Sequence, residues 1–303
     1  MDSLQFIANH IITIYIMIAI GVIAGKTKLI NEHISICLSK ILLNICLPLY
    51  IISAFRYPLL DEVIEGIIIV FVFGIIIHPL CYLFGKLIYK NKEDLKKKVF
   101  IFSLMFSNCD YIGFPIIESI YGNVGIIYGS IFLAPYNIFL WTIGVSLFKK
   151  SSSRYSFLNI GVIAVIVGIL IYLFQIKLPY FIDKSITSFG LMTIPLSMLI
   201  IGGILSKIKL RDLFKSKSIY LLSLLRLLLI PLVVLGFLYL LEIDKIIISV
   251  SVLVIAMPVA ITLPVLTQRY NGDTDFATKT VIISTFLSIL TIPIIVIILN
   301  KIY

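Results

Sequence analysis

The sequence predicts an all-α polytopic membrane protein with ten transmembrane helices. They form an inverted five-plus-five repeat with two crossing broken helices, in spans 4 and 9. Three observations predict this. The 303 residues are 60% hydrophobic and only 13% charged, with a mean hydropathy of +1.14, whereas soluble domains carry about 45–50% apolar and about 25% charged residues. Apolar runs of about twenty residues recur from end to end, each long enough to cross about 30 Å of hydrocarbon. Two of these runs, Ser103–Gly122 and Ala256–Gly272, carry polar residues, glycine and proline at their centres. Hydrocarbon tolerates broken backbone only where it faces protein or a water-filled cavity, and such cavities at mid-membrane are where transporters bind their substrates.

The ten spans are read as residues 5–25, 34–55, 63–89, 97–120, 122–148, 156–175, 185–206, 216–241, 245–268 and 276–300. A tight turn at Tyr121-Gly122-Asn123 separates the fourth from the fifth. Residues 1–303 then form one membrane domain with no added soluble domain. Its repeats are 1–150 and 151–303, because Pro48, Pro79, Pro115 and Gly122 map onto Pro195, Pro231, Pro264 and Gly272 at offsets of 147, 152, 149 and 150 residues. Five spans per half is an odd number, so the halves insert with opposite topology.

Charge sets the expected orientation. One set of loops holds eighteen basic residues, including Lys26, Lys86, Lys149, Lys207 and the run Lys90–Lys98, against five in the opposite set: Arg56, Lys177, Lys184, Lys245 and Lys301. Basic loops stay cytoplasmic, so both termini are expected outside a multi-pass chain in the cell membrane. The net charge of +10 is thus read as topology and contact with anionic membrane lipids, with no nucleic acid as partner. The amino-terminal run, with Asp2 and no basic residue ahead of it, reads as a retained first helix. Cys37, Cys46, Cys81 and Cys109 lie in or beside apolar segments without CxxC spacing, so buried free thiols are expected rather than disulfides or a metal site.

The first break is built from Asn108, Asp110, Gly113 and Pro115. Glycine permits unusual dihedrals, proline frees the carbonyl four residues earlier, and asparagine supplies donors and acceptors. The competing reading is a simple proline kink. In the second break Met257, Pro258 and Pro264 frame a short segment in which Thr262 adds a hydroxyl. Together the two breaks form the expected substrate site, where the positive N-terminal end of a half-helix suits an anion. Asp110 costs about 2.5–3.5 kcal/mol at mid-span, and intramembrane acids serve ion paths and proton relays. It is read as the ion-coupling residue for H+ or Na+, against a carboxylate kept for structure. Arg226, alone in the run LLSLLRLLLIPL, either neutralises Asp110, or holds an organic carboxylate with its planar fork, or snorkels to the cytoplasmic surface. Asn44, four residues before Pro48, either packs between helices or lines the site. His78 reads as a packed histidine, and Gly125, Gly129, Gly202 and Gly203 as close helix contacts. No HExxH, GxSxG or phosphate loop is present, so an enzyme is not expected.

Asn108-Cys109-Asp110-Tyr111-Ile112-Gly113-Phe114-Pro115 resembles the N-x-G-[FY]-x-G-x-P motif of the auxin efflux carrier family of permeases. Leu43–Pro48, Arg226 with Pro231, MPVAITLPVLTQRYNGD and Ser284–Ile294 are similar to the family in the same order, and the likeness covers the whole chain. The family usually has glycine where this chain has Asp110. The resemblance implies a bile-acid sodium symporter-like fold, with a scaffold of spans 1, 2, 6 and 7 beside a transport part of spans 3–5 and 8–10, and a homodimer through the scaffold. The expected function is a secondary active transporter of a small organic anion, a carboxylate, working by alternating access without a cofactor. Two alternatives stand beside it: a membrane sensor or receptor that binds ligand without moving it, and a sodium-coupled organic-anion symporter.

Overall fold

The computed structural model describes residues 3–56, 61–89, 95–148, 160–206 and 217–302. Every regular element among them is helical: α1 Ser3–Lys26, α2 Glu32–Ile41, α3 Leu47–Ala54, α4 Asp61–Ile88, α5 Leu95–Met105, α6 Phe114–Phe139, α7 Ile160–Leu173, α8 Tyr180–Leu191, α9 Thr193–Leu205, α10 Lys217–Leu224, α11 Ile230–Leu240, α12 Lys245–Ala256, α13 Thr262–Arg269 and α14 Thr274–Ile302. The run Lys90–Lys98 lies only partly within the described residues.

The expected ten spans are corrected. Among the described residues six helices are long and apolar enough to cross a membrane: His33–Ala54, Val63–Ile88, Cys109–Gly144, Tyr180–Leu205, Lys217–Leu240 and Thr274–Ile302. Ile12–Lys26, Ile160–Leu173 and Lys245–Ala256 are apolar but shorter. Among the described residues ten spans in an inverted five-plus-five repeat are therefore not found. Apolar composition over-counts because it measures hydrophobic length straight through the expected breaks, whereas α5, α12 and α13 are each shorter than a span. The run 97–120 ends as helix at Met105 and resumes at Cys109, and the run 245–268 stops at Ala256 and restarts at Thr262. The runs expected as spans 4 and 5 share one long helical stretch, interrupted at a single residue, Gly122, with φ 59° and ψ −148°.

That one residue turns the chain back. A methyl group added at Gly129 would meet Phe114 Cε1 at 3.0 Å, and one at Gly125 would meet Ile117 Cγ2 at 2.7 Å. In a straight helix residues 114 and 129 would stand about 22 Å apart. Only glycine tolerates the φ and ψ of residue 122 without strain.

Four π-helical turns interrupt the helices, at Leu42–Cys46, Cys109–Gly113, Leu140–Gly144 and Leu225–Leu229. Three of them end two residues before a proline: Pro48, Pro115 and Pro231. Proline lacks the N–H that would bond four residues back, and its ring presses on that carbonyl. Widening the preceding turn relieves the clash, so Leu47 N donates to Leu42 O and Ile230 N to Leu225 O, five residues back. Asn44, Asp110 and Arg226 each sit inside one of these widened turns.

The chain divides into two compact units. The first comprises Met1–Ile68, Asp110–Leu133 and Leu158–Ile208. In it α1 lies against α9 with almost no side chain between them: a methyl group at Gly21 would strike Leu199 O at 2.8 Å, and one at Gly202 would strike Ile18 O. Small residues let membrane helices approach this closely. The second unit comprises Ile69–Cys109, Ala134–Phe157 and Lys209–Tyr303. Its centre is α12, whose residues Ile247–Ala256 are all buried. Many of its buried hydroxyls bond back along their own helix, as Ser103 does to Val99 O at 2.7 Å and Thr280 to Phe276 O at 2.7 Å. Side chains such as Val233 and Phe237 are exposed, as a face turned to lipid requires.

Candidate functional site

A helix leaves its last four carbonyls without partners, and buried backbone groups must find them elsewhere. Both breaks of the second unit meet this demand through each other. Ser107 and Val259 form an isolated antiparallel bridge. Asn108 N donates to Pro258 O at 2.7 Å, and Ala260 N donates to Phe106 O at 3.1 Å. Side chains meet further groups. Ser107 Oγ donates to Val254 O at 2.6 Å, Tyr136 OH donates to Ser107 O at 3.1 Å, and Ser284 Oγ accepts from Val259 N at 3.2 Å. Two chain segments that are irregular, apolar and almost wholly buried are held in this way at a fixed register.

Arg226 completes the arrangement. In an uninterrupted helix the Leu104 carbonyl would receive the N–H of Asn108, which instead turns to Pro258. Arg226 Nη1 donates to the freed Leu104 O at 2.7 Å, and Nε donates to Met257 O at 3.3 Å. The guanidinium thus bridges the C-terminal ends of α5 and α12. The residue is 1% exposed, and Nη2 has no hydrogen-bond partner among the described residues. Cys81, Cys109 and Tyr136 are its electrostatic neighbours. The widened turn Leu225–Leu229 ahead of Pro231 is what carries this side chain.

Successive carbonyls of one segment, Met257 and Pro258, bond Arg226 and Asn108. The Asn108 side chain is 1% exposed, and neither its oxygen nor its nitrogen has a partner among the described residues. Thr262 Oγ1 is likewise unpartnered at the start of α13, a helix whose N-terminus has no side-chain cap. Pro264 follows in its first turn, where its missing N–H costs nothing.

Sequence reasoning grouped Asp110, Gly113, Pro115 and Asn44 with these residues, and the structure places those four in the first unit. The chain passes from one unit to the other between Cys109 and Asp110. Asp110 is half-buried and accepts from Tyr111 N at 3.1 Å. Gly113 and Pro115 are buried. Asn44 is exposed and donates to Lys40 O at 2.8 Å, inside its own helix. His78 is buried, with Nδ1 at 2.6 Å from Gly74 O and its ring stacked on Phe139 at 5.3 Å between centroids. Phe106 and Tyr136, from the wall of the break, close the same aromatic cluster.

Ser107, Tyr136 and Ser284 were not singled out by sequence reasoning. The local signals were the position of Ser107 beside Asn108 and that of Ser284 at the head of a family-like segment. Tyr136 and Ser284 reach the breaks from 29 and 25 residues away along the chain, a separation no short motif reports. Among the described residues no cluster of His, Cys, Asp or Glu is able to hold a metal.

The family model described as "Membrane transport protein" matches residues 6–161 and 150–296. The chain is also 22% identical over 293 residues to an uncharacterized transporter of Methanothermobacter thermautotrophicus, a likeness covering 93% of this chain and 95% of that one. Matched along nearly its whole length, the chain belongs to this membrane transport protein family, the auxin efflux carriers, and is a polytopic membrane transporter rather than an enzyme.

Proposed function

We propose that this transporter moves a small organic anion, a carboxylate, across the cell membrane by secondary active transport with alternating access. The supporting observation is the set of buried polar atoms around the two breaks that lack partners among the described residues: the Asn108 amide, Arg226 Nη2 and Thr262 Oγ1. Buried polar groups are nearly always satisfied, and the exceptions ask for a ligand or water. Here the unsatisfied atoms are mostly donors, as an anion requires.

Electrostatics favour the same sign. A crossing of broken helices offers partial positive charge at its N-terminal ends and partial negative charge at its C-terminal ends, about half an elementary charge each. Arg226 covers two C-terminal ends, whereas the N-terminus of α13 stays uncapped by any side chain. The balance is positive. No carboxylate pairs with Arg226 among the described residues. Asp110, at the start of the turn Cys109–Gly113, is the proposed proton-coupling group. Both termini are proposed to face outward, and the protein to assemble as a homodimer.

Flux of a panel of mono- and dicarboxylates into proteoliposomes tests the proposal. Uptake of at least one, competed by its close analogues and absent from empty vesicles, is expected. Folded protein that binds carboxylates but never moves them would instead make it a receptor.

A further inference from the structure

We infer that the Arg226 guanidinium is a resident cation: it fills the place between the C-terminal ends of α5 and α12 that a free alkali cation would otherwise take. The inference bears on coupling only if the breaks form the transport site proposed above, so its test reads binding and not flux.

In transporters with interrupted helices, unwound carbonyls and the C-terminal ends of half-helices are the groups that coordinate Na+. Hard cations take oxygen ligands, and the negative ends of helix dipoles add to the attraction. This chain builds such a place. Leu104 O is released because Asn108 N goes to Pro258 O, and Met257 O is released because α12 ends at Ala256. Both oxygens are in the second unit, both belong to helix C-terminal ends, and both are taken by one side chain, at 2.7 and 3.3 Å.

The charges close as well. Two helix ends contribute about −0.5 each, and one guanidinium contributes +1. A snorkelling arginine would have left these carbonyls for the surface, yet this one is 1% exposed. Nor is the group merely a neutral staple. A glutamine or asparagine would donate to the carbonyls equally well but would leave the two helix ends uncompensated in a low dielectric, where such terms are large. Tethering also removes the entropy cost of capturing a free ion, because the cation arrives with the fold. The third nitrogen, Nη2, lacks a partner among the described residues, so the resident cation keeps a nitrogen with two N–H donors that the helix ends do not use.

Removing the guanidinium should convert the place into a cation site. Thermal midpoints of the purified, detergent-solubilised protein are compared in sodium, potassium and choline chloride at equal ionic strength. The wild type is expected to melt at the same temperature in all three. Arg226→Ala, with both carbonyls vacated, is expected to melt lower in choline and to recover by a shift on the order of a few °C in sodium or potassium, saturating with concentration as mass action requires. Arg226→Lys, which keeps the charge, should match the wild type's indifference. Saturable stabilisation of the wild type by sodium over choline overturns the inference, as does a folded Arg226→Ala that ignores all three cations. Should Arg226→Ala fail to fold, the wild type and Arg226→Lys decide: a sodium preference in either overturns it, and indifference in both supports it.

Discussion

Two residues of the breaks show opposite ways of using a buried polar group. Arg226 spends two donors on backbone carbonyls, so its loss damages structure. Asn108 spends its main-chain N–H on Pro258 but its side chain on no other described residue. A buried amide without a partner costs about 1–3 kcal/mol. Asn108→Ala is therefore expected to leave the thermal midpoint unchanged or raised, while weakening anion binding. One hydrogen bond to a charged ligand is worth about 1.5–3 kcal/mol, roughly ten- to a hundred-fold in Kd. Calorimetric titration beside a melting curve checks both halves, and unaltered affinity would place the substrate elsewhere. Asp110 makes a different prediction. Its carboxylate accepts from Tyr111 N, which Asp110→Asn can keep through the amide oxygen. The variant should fold and bind, yet its flux should no longer respond to an imposed proton gradient. A gradient response equal to the wild type's would remove the coupling role.

At the scale of elements, proline placement accounts for the unusual geometry. Three prolines each force a widened turn just ahead of them, and each such turn holds a polar residue that would be out of register in a regular helix. π-turns recur at functional sites for this reason. Gly122 is the second device. Its φ of 59° with ψ of −148° reverses the chain, and an added Cβ would meet nothing within 4 Å. Space is free there and conformation is not. Gly122→Ala should then cost about 1–3 kcal/mol through backbone strain alone, seen as a lower thermal midpoint with the anion affinity of the folded fraction preserved. An unaffected midpoint would mean that the reversal does not depend on glycine.

For the whole molecule, the expectation that both termini lie outside and the basic run Lys90–Lys98 lies in the cytoplasm makes a prediction that needs no side-chain detail. A protease added to intact cells should remove tags from both ends of the chain, and cysteine introduced at Lys97 should react with an impermeant thiol reagent only after the membrane is opened, in a background where exposed Cys37 is replaced. Tags cleaved only in opened cells would invert the orientation. Membrane class, helical content and family were all legible in the sequence, because apolar length, composition and ordered motifs are properties of the chain itself. The number of spans was not. Hydropathy read 97–120 and 245–268 as spans, and their central polar residues, glycine and proline marked both as broken, but a window average still counts each as one full crossing although α5, α12 and α13 are each shorter than a span.

What the amino-acid order determined alone is where helices weaken: at Pro115, Pro258 and Gly122, each through a missing donor or a missing Cβ. Which groups then answer the orphaned carbonyls was decided only by tertiary structure. Phe106–Asn108 pair with Pro258–Ala260, and Arg226 reaches Leu104 from 122 residues away. The physical reason is that a broken helix in an apolar interior must have its backbone groups satisfied, while the sequence at the break names the groups left open and not the distant partners that close them.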